Sequence, residues 1–304
     1  MRIVGMNSKV LIADRYGQPD VLEFIDEELP FLAPGHARIK VRAAGVNPLD
    51  ARRMTGEIRF GPLPLRFGTE FAGHIVELSS GDGQWAVGDA VLGSGGAYTH
   101  ATVIDVPVDN LIKRPPSVDW AVAGSLAGTS QTAMSVLQEL GEIGSLLIHG
   151  GAGGVGSVLI QLAREKGIDV LATGSEANQD YLRALGATPV VYGASVVERI
   201  RAVHPAPLDA AIILAGTEAA THASLATVKP DGDIASTTGI PAPSQRVRGT
   251  GYKPSSANLQ YVVDRVADGR IMWEVSQTYP FADAREGFAA VLEGHTRGKR
   301  VLVF

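Results

Sequence analysis

The strongest constraint on the fold is a glycine-rich turn between an apolar segment and a helix-like segment. The stretch LIHGGAGGVGSVLIQLAREKG, residues Leu147–Gly167, holds five glycines in its first ten residues. Gly151, Gly153 and Gly156 fit the pattern G-x-G-x-x-G, and Gly154 adds a further glycine. Glycine inside a regular element costs about 0.5–1 kcal/mol relative to alanine, so such a run indicates that another group must approach the backbone closely.

The residues after the turn follow the period of an amphipathic helix. Apolar side chains recur at positions i, i+3, i+4, i+7 and i+8, namely Val155, Val158, Leu159, Leu162 and Ala163. Gly167 then favours the end of the helix. A strand, a glycine turn and a helix in this order bind a dinucleotide, because the missing side chains admit its pyrophosphate and the helix amides stabilise its charge. A purely structural turn is the alternative.

Short apolar segments alternate with helix-like segments from Asp119 onward. These segments are SLLIHG, DVLATG, PVVYG, LDAAIILAG and GDIASTTG. Strands that alternate with helices predict crossover units and a parallel sheet covered on both faces. The predicted fold class is therefore α/β, with a doubly wound parallel sheet of the Rossmann type.

The residues up to about Pro116 predict a second, β-rich domain. HARIKVRAAGVN alternates apolar and polar residues at period two, as a half-buried strand does. The paired prolines of KRPPSV mark the end of this region, since they cannot continue a strand or a helix. A chain of 304 residues also exceeds what one core usually fills, so two domains are expected.

Composition and charge exclude several classes of function. The chain has no cysteine, which excludes disulfides, a catalytic thiolate and zinc sites that need sulfur ligands. The seven histidines are scattered, and we expect no metal site. A net charge of −5 without a basic block argues against nucleic-acid binding. No apolar run reaches about 18 residues, so we expect a soluble, cytoplasmic protein without a membrane span.

The end of the second strand in the α/β region discriminates between NAD and NADP. NAD-dependent enzymes place an acidic residue there, where it binds the ribose 2′-hydroxyl. Here the segment DVLAT runs into Thr173, Gly174 and Ser175, with no carboxylate at its tip. An acid would repel the 2′-phosphate of NADPH, whereas small hydroxyl residues tolerate it. NADPH is therefore favoured; NADH is the alternative, because Glu176 could still reach a ribose.

Four further segments carry a resemblance to a known family. They are AAGVNPLDARRMTG, FGTEFAGHIVEL, AGSLAGTSQTAMSVL and YPFADAREGFAAVLEGHTRGKRVLVF. With the glycine turn, they resemble the zinc-independent medium-chain dehydrogenases/reductases, in particular the quinone oxidoreductase (ζ-crystallin-like) family. By this resemblance, Asn47 and Thr69 replace the cysteine and histidine ligands of zinc-dependent relatives. Thr132 falls on the family's threonine near the nicotinamide.

The resemblance implies both an architecture and an activity. A GroES-like catalytic domain would comprise residues 1–118 and 268–304, with a Rossmann NAD(P)-binding domain, residues 119–267, inserted in it. The nicotinamide would lie in the cleft between them. Family members transfer a hydride from NADPH to quinones or to conjugated C=C bonds, without zinc, and are commonly homodimers.

The same resemblance implies the site residues. Asn47 and Thr132 are the candidate catalytic residues, which would hold the nicotinamide or polarise the acceptor. Ser175 and Tyr192 match positions that contact the adenosine 2′-phosphate, although Asn178 stands where the family often has a lysine. The candidate cofactor-binding residues are Thr69, Gly151, Gly153, Gly154, Val155, Gly156, Thr173, Gly174, Ser175, Asn178, Tyr192, Ala215, Gly216 and Gly239.

Ordinary structural roles are the alternatives at several positions. Asn47 could cap a turn, Thr132 could bond back to the preceding helical turn, and Tyr192 could be a packed aromatic residue. His149, just before the glycine turn, is expected to be a packed strand-end residue and not a catalyst.

Two carboxylates near the candidate site are interpreted as structural. Asp50 and Glu70 resemble a pair for acid–base chemistry, but the nearby Arg52 and Arg53 favour structural ion pairs. Arg183 is a speculative substitute for the lysine missing at the phosphate subsite.

Two other functions stay open at this point. The first is reduction of the C=C bond of an enone or an enoyl thioester, for which Arg246, Arg248 and Lys253 could bind a phosphate-bearing carrier or could simply be solvated. The second is a non-catalytic nucleotide-binding protein.

Overall fold

The structure, a computed structural model, describes residues 6–79, 83–96, 98–239 and 244–304. It divides into two compact units. Unit 1 contains the described residues up to Gly128 together with Pro254–Arg270 and Glu274–Phe304. Unit 2 contains the described residues of Thr129–Lys253 together with Ile271–Trp273. The domain boundaries at 118/119 and 267/268 stay a prediction from the sequence.

Strands and helices account for most of both units. The strands are β1 (Asn7–Ala13), β2 (Leu22–Glu28), β3 (His36–Val46), β4 (Leu65–Arg66), β5 (Glu70–Leu78), β6 (Ala90–Ser94), β7 (Val103–Pro107), β8 (Leu111–Lys113), β9 (Ser145–His149), β10 (Asp169–Gly174), β11 (Thr188–Val191), β12 (Leu208–Ile213), β13 (Val228–Ser236), β14 (Val247–Gly249), β15 (Val275–Pro280) and β16 (Lys299–Val303). The helices are α1 (Pro48–Thr55), α2 (Trp120–Glu139), α3 (Gly154–Glu165), α4 (Gln179–Ala184), α5 (Val196–Val203), α6 (Glu218–Thr227), α7 (Ser256–Ala267) and α8 (Ala284–Leu292). Within the described ranges, no helix is long and apolar enough to cross a membrane.

Unit 2 is built on a six-stranded parallel sheet in the order β11-β10-β9-β12-β13-β14. This is the doubly wound order, in which the chain reverses direction beside its first strand. Each of the five apolar segments named above forms one of these strands. The predicted α/β fold class is therefore confirmed.

The strands of unit 2 end together at one edge of the sheet. Thr173 in β10 and Ile213 in β12 both pair with His149, the last residue of β9. Gly174 pairs with Val191, the last residue of β11. The turns that follow these strands therefore lie side by side, at the edge where open α/β sheets bind their ligands.

The glycine turn allows α3 to begin against the preceding backbone. A Cβ on Gly156 would lie 2.5 Å from the carbonyl oxygen of Gly150 and 2.7 Å from the Cα of Gly151. Only glycine permits this approach without displacing the turn. The helix then ends before Gly167, whose φ of +76° is a left-handed conformation, as the sequence predicts.

Unit 1 contains two β-sheets around apolar cores, antiparallel except for the parallel pair of β15 and β16. Strands β2, β1 and β4 form one sheet, and the other follows the order β15-β16-β3-β5-β6-β8, with β7 also paired to β3. The longest strand of the larger sheet is β3. It confirms the strand that the period-two pattern of HARIKVRAAGVN predicts. Helix α8 packs on one of the apolar cores of this unit, where the rings of Phe288 and Phe67 meet edge-on with centroids 5.2 Å apart.

The ends of three strands meet in unit 1. Arg300 of β16 pairs with Val46, the last residue of β3, and β5 pairs along β3 from Ala43 to Ala37. Asn47 follows β3 directly, Glu70 opens β5 and Lys299 opens β16. Antiparallel pairing of β16 with β3 thus brings the residue after one strand beside the first residue of the other.

His149 is a buried, neutral histidine at the end of the central strand of unit 2. Its side chain is 2% exposed, and Nδ1 lies 3.2 Å from the hydroxyl of Thr173. Burial lowers the pKa of His149 from 6.5 to about 4 because the charged form loses its hydration. The expectation that His149 is a packed strand-end residue is confirmed.

This burial predicts a loss of stability in acid. Between pH 6.5 and 4 the unfolded chain binds a proton at His149 and the folded chain does not, so the free energy of unfolding falls as pH falls through this window. The contribution is about 1–3 kcal/mol. Urea unfolding followed across this range should show a weaker pH dependence for His149→Asn. His222→Asn, at an exposed histidine, is the control, and an unchanged slope in His149→Asn would contradict the assignment.

Candidate functional site

The predicted phosphate-binding turn follows β9 at the carboxyl edge of the parallel sheet. The amide of Gly151 donates to the carbonyl of Thr173 at 3.0 Å, and the amide of Gly150 lies 3.4 Å from the Thr173 hydroxyl. Thr173, a candidate cofactor residue, is 2% exposed. The backbone carbonyl of Thr173, with a longer contact from its hydroxyl, therefore holds the turn against β10.

The residues of the turn differ in exposure in a way that suits a ligand. Gly151 and Gly156 are buried, whereas Gly153, Gly154 and Val155 are half-buried. A Cβ on Gly151 would lie 2.8 Å from Cβ of Ala172, so the turn packs tightly on β10. The first-turn amides of α3 follow directly, and such amides have no partner within their own helix. These residues fit the pyrophosphate of a dinucleotide.

The turn after β10 offers hydroxyl and amide groups. Asn178 donates through Nδ2 to the hydroxyl of Ser175 at 3.1 Å, and Gln179 donates to the carbonyl of Ser175 at 2.9 Å. Gly174 is buried at the end of the strand, and Glu176 is exposed in the short turn beyond it. The strand tip thus carries no carboxylate.

The neighbouring strand β11 ends beside this turn. The amide of Tyr192 donates to the carbonyl of Gly174 at 3.2 Å, and the Tyr192 side chain is 45% exposed. That exposure does not support the alternative of a packed aromatic residue. Arg199, in α5, donates to the carbonyls of Val191 at 2.8 Å and Tyr192 at 3.1 Å. A half-buried guanidinium therefore lies at the carboxyl end of β11.

The remaining candidate cofactor residues lie on the same edge. Ala215 and Gly216 follow β12 and are exposed, and Gly239 follows β13 and is also exposed. The amide of Leu214 donates to the carbonyl of His149 at 3.0 Å, which holds the turn after β12 next to the glycine turn. The structure thus brings the unit 2 cofactor candidates to one edge of one sheet.

Asn47 stands at the centre of a polar network in unit 1. Its Oδ1 accepts a hydrogen bond of 2.5 Å from Nζ of Lys299. Its Nδ2 lies 3.2 Å from Oε1 of Glu70 and 3.4 Å from the hydroxyl of Thr69. Asn47 is also the N-cap of α1, where its backbone amide donates to the carboxylate of Asp50 at 3.0 Å. The alternative of a turn cap is therefore confirmed for the backbone of Asn47, while its side chain has further partners.

Glu70 is fully buried and held from three directions. Its Oε1 accepts from Nζ of Lys299 at 2.6 Å as well as from Asn47, and its Oε2 accepts from the amide of Gly128 at 2.8 Å. A Cβ on Gly45 would collide with Oε1, so glycine at that position leaves room for the carboxylate. A buried charge of this kind is stable only when it is paired and hydrogen-bonded, as here.

The expected ion pairs of Asp50 and Glu70 with Arg52 and Arg53 are wrong. Asp50 accepts from the amides of Asn47 at 3.0 Å and Gly68 at 2.8 Å. Arg52 pairs with the nearby Glu57 at 2.8 Å, on the surface.

The other arginine and the other carboxylate also have different partners. Arg53 donates to the carbonyl of Arg66 at 2.9 Å, and Glu70 forms an ion pair with Lys299. The carboxylates are structural, as interpreted, but backbone amides and a distant lysine satisfy them in place of the neighbouring arginines.

His100 is a second buried histidine, adjacent to this network. It is 1% exposed, and its Nε2 lies 3.0 Å from the carbonyl of Gly45. Burial lowers the pKa of His100, so the ring is neutral near pH 7. It adds no positive charge beside Lys299.

Thr132 lies in the second half of α2 and is half-buried. It belongs to unit 2, whereas Asn47 and Thr69 belong to unit 1. Its role at the nicotinamide stays a prediction.

The donors around Asn47 do not fit a zinc ion. The chain supplies no thiolate, and no cluster of three metal-ligating side chains occurs among the residues that the structure describes. The ammonium of Lys299 lies between Asn47 and Glu70, where it would repel a second cation.

The basic residues between Arg246 and Lys253 are committed to partners in unit 2. Arg248 pairs with Asp233 at 2.6 Å and with Glu139 at 2.5 Å, and Lys253 pairs with Glu139 at 2.7 Å. Lys253, Thr250 and Arg248 hold the pKa of Glu139 at about 2. Arg246 donates to backbone carbonyls. These contacts favour a structural role over binding of a phosphate-bearing carrier.

The sequence analysis did not identify two residues that contact the candidate sites, Lys299 and Arg199. Lys299 opens the terminal strand in GKRVLVF, and a lysine directly before an apolar run was the feature that could have indicated a buried charge there. Arg199 sits on a polar face of α5 and had no local signal, because its partners are backbone carbonyls of another element.

Comparison with known proteins agrees with this architecture. The model of the alcohol dehydrogenase GroES-like domain matches residues 33–136. The model named zinc-binding dehydrogenase matches residues 185–302. The first match lies mostly in unit 1 and the second begins in unit 2, and the glycine turn lies between the two matches.

A solved structure and two curated proteins illustrate the likeness. The quinone oxidoreductase of Coxiella burnetii is 29% identical, with a TM-score of 0.88, covering 98% of this chain and 100% of that chain. The human mitochondrial NAD(P)H oxidoreductase RTN4IP1 is 26% identical over 96% of this chain and 88% of its own length. Polyketide synthase GfsB of Streptomyces halstedii is 39% identical over 51% of this chain, but the match spans only 3% of that protein.

These likenesses agree with the two-part fold, the glycine turn at the carboxyl edge and the segments that carry the sequence resemblance. The chain belongs to the medium-chain dehydrogenase/reductase family of oxidoreductases, with a GroES-like domain and a Rossmann domain.

Proposed function

We propose that this protein is an NADPH-dependent oxidoreductase that reduces a quinone or a similar conjugated carbonyl acceptor without zinc. The observation that carries the proposal is the carboxyl edge of the unit 2 sheet, where a glycine turn meets a strand tip free of carboxylates. The names of the Coxiella burnetii and human relatives support the reaction class.

Binding of the dinucleotide rests on the turn and on α3. The amides that open α3 face the ligand without side chains at Gly153 and Gly154, and the helix dipole adds partial positive charge. Bound NADPH supplies the hydride. Reduction of a quinone consumes that hydride and one proton and yields the hydroquinone and NADP⁺.

Arg199 supports NADPH over NADH. Asn178 cannot supply the positive charge that a 2′-phosphate attracts, and Arg183 is exposed and pairs with Asp180 at 2.5 Å. Arg199 holds its guanidinium at the end of β11, next to Tyr192 and one strand from Ser175. We propose that it supplies the charge for the 2′-phosphate, since guanidinium–phosphate hydrogen bonds are among the strong ones.

Replacement of Arg199 should therefore separate the two nucleotides. In Arg199→Gln, fluorescence titration should show a Kd for NADPH raised by about 10-fold, because one charge-assisted hydrogen bond is lost. The Kd for NADH should stay within about 2-fold.

Arg183→Gln is the matched control, and its Kd for NADPH should not change. An equal loss of affinity for both nucleotides in Arg199→Gln would show a structural role for Arg199 and contradict its assignment to the phosphate.

Asn47 is the proposed donor to the acceptor oxygen. The oxygen gains negative charge as the hydride arrives at the conjugated system, and a fixed donor stabilises that charge. The side-chain amide of Asn47 is held by Lys299 and Glu70, so it meets the requirement of preorganisation. Thr132 is the proposed second contact, on the family resemblance alone. Neither residue is an acid, so the proton of the reaction is proposed to come from water.

Loss of the Asn47 amide should lower turnover more than nucleotide binding. Asn47→Ala should reduce kcat by about 100-fold, the usual effect of removing one such donor. Its Kd for NADPH, measured by fluorescence, should change by less than about 3-fold, since the turn and α3 are untouched. An unchanged kcat would remove Asn47 from the mechanism.

Reduction of the C=C bond of an enone or enoyl thioester is the second candidate, and the similarity to part of a polyketide synthase favours it. Rates of NADPH oxidation with benzoquinone, an unsaturated ketone and crotonyl-thioesters compare the two directly. We expect the highest kcat/KM with the quinone, since Arg248 and Lys253 are already paired. Higher kcat/KM with the thioester would replace the first proposal with the second, and binding of NADPH without any turnover would leave a non-catalytic nucleotide-binding protein.

A further inference from the structure

We propose that Lys299 is a positioning residue that fixes the direction in which the side-chain amide of Asn47 points. The inference rests on the proposed function, because it concerns the donor of the same site. It assigns a role to a buried ion pair that the sequence and the comparisons leave without one.

The ammonium group selects one end of the Asn47 amide. Nζ of Lys299 carries only donors, and it lies 2.5 Å from Oδ1 of Asn47. An amide turned by half a rotation would place Nδ2 against Nζ, donor against donor. The oxygen and nitrogen ends of an amide have nearly the same shape, so hydrogen bonding and not packing decides between them.

Glu70 reinforces the same choice. Its carboxylate carries only acceptors, and Oε1 lies 3.2 Å from Nδ2 of Asn47. The reversed amide would set two acceptors against each other. Lys299 and Glu70 therefore both require Oδ1 toward the ammonium and Nδ2 toward the carboxylate.

This arrangement leaves one N–H of Asn47 for the acceptor. The other hydrogen of Nδ2 faces the hydroxyl of Thr69 over a long contact of 3.4 Å. A hydrogen bond of that length is weak, so an acceptor oxygen could replace it. Lys299 thus acts through Asn47 and keeps a donor on the side of Thr69.

Burial makes the arrangement rigid. Lys299 is 5% exposed and Glu70 is 0% exposed, and the 2.6 Å bond between them is screened from water. Breaking such a pair leaves an unpaired charge inside the protein, so the pair does not exchange freely with solvent.

A double-mutant cycle tests the proposal in turnover. Lys299→Met keeps an unbranched side chain one atom shorter and removes the ammonium; kcat should fall by about 10-fold, with the Kd for NADPH within about 2-fold of wild type. In the Asn47→Ala background the same substitution should change kcat by less than about 2-fold, because no amide is left to orient. A fall of equal size in both backgrounds, or no fall in either, would overturn the proposal.

A second readout does not depend on activity. In the protein labelled with isotopic nitrogen at asparagine, the side-chain amide of Asn47 should give two well-separated NMR signals that exchange slowly with water. Lys299→Met should shift both signals toward those of a solvent-exposed asparagine and speed their exchange with water, while other asparagine signals stay in place. Unchanged Asn47 signals would overturn the proposal.

A variant that fails to fold does not end the test. Glu70→Gln removes the carboxylate that Lys299→Met would leave unpaired, so the same cycle is then built on Glu70→Gln. Failure of wild-type turnover with every acceptor would contradict the proposed function alone, and the NMR readout would still decide the role of Lys299.

Discussion

The buried ammonium of Lys299 joins three stretches of chain that lie far apart in sequence. It bonds Asn47, which follows β3, and Glu70, which opens β5, from its own place at the start of β16. Antiparallel pairing of these strands brings the three residues together, and a missing side chain at Gly45 leaves room for the carboxylate. One charged pair therefore holds both the strand ends of unit 1 and the amide that we propose as donor.

Each unit, taken by itself, offers groups that suit one part of the proposed reaction. Unit 2 offers backbone amides and a guanidinium at one sheet edge, which suit the phosphates of a dinucleotide. Unit 1 offers a fixed amide, which suits an oxygen that becomes negative as a hydride arrives. In zinc-dependent relatives of the family, as the resemblance implies, a metal is held where Asn47 and Thr69 stand. In this chain we propose that the Asn47 amide, oriented by the ammonium of Lys299, takes that place without a sulfur ligand.

Local patterns predicted much of the fold. The glycine turn, the period of α3 and the apolar strands of unit 2 are encoded within a few residues each, and all are confirmed. The partners of charged side chains were not predictable in the same way. Asp50 and Arg53 are three residues apart, yet Asp50 binds the amide of Gly68 and Arg53 binds the carbonyl of Arg66.

Long-range contacts explain the residues that were missed. Asn47 and Lys299 are 252 positions apart in the sequence. A local sequence pattern therefore cannot show that they are partners. Arg199 donates to the carbonyls of Val191, the last residue of β11, and of Tyr192, which follows it. The residues around Arg199 along α5 therefore do not indicate these partners. The sequence resemblance located Asn47 and Thr69, but only the structure identifies the cation between Asn47 and Glu70.

The central claim is hydride transfer from NADPH at a site organised by a lysine and not by a metal. The direct measurement is NADPH oxidation with benzoquinone by protein that has been treated with a strong chelator and analysed for residual metal. We expect full turnover after chelation and no gain on addition of zinc. Turnover that vanishes with the metal and returns with zinc would contradict this, because the Asn47 amide held by Lys299 would then not be sufficient for the reaction.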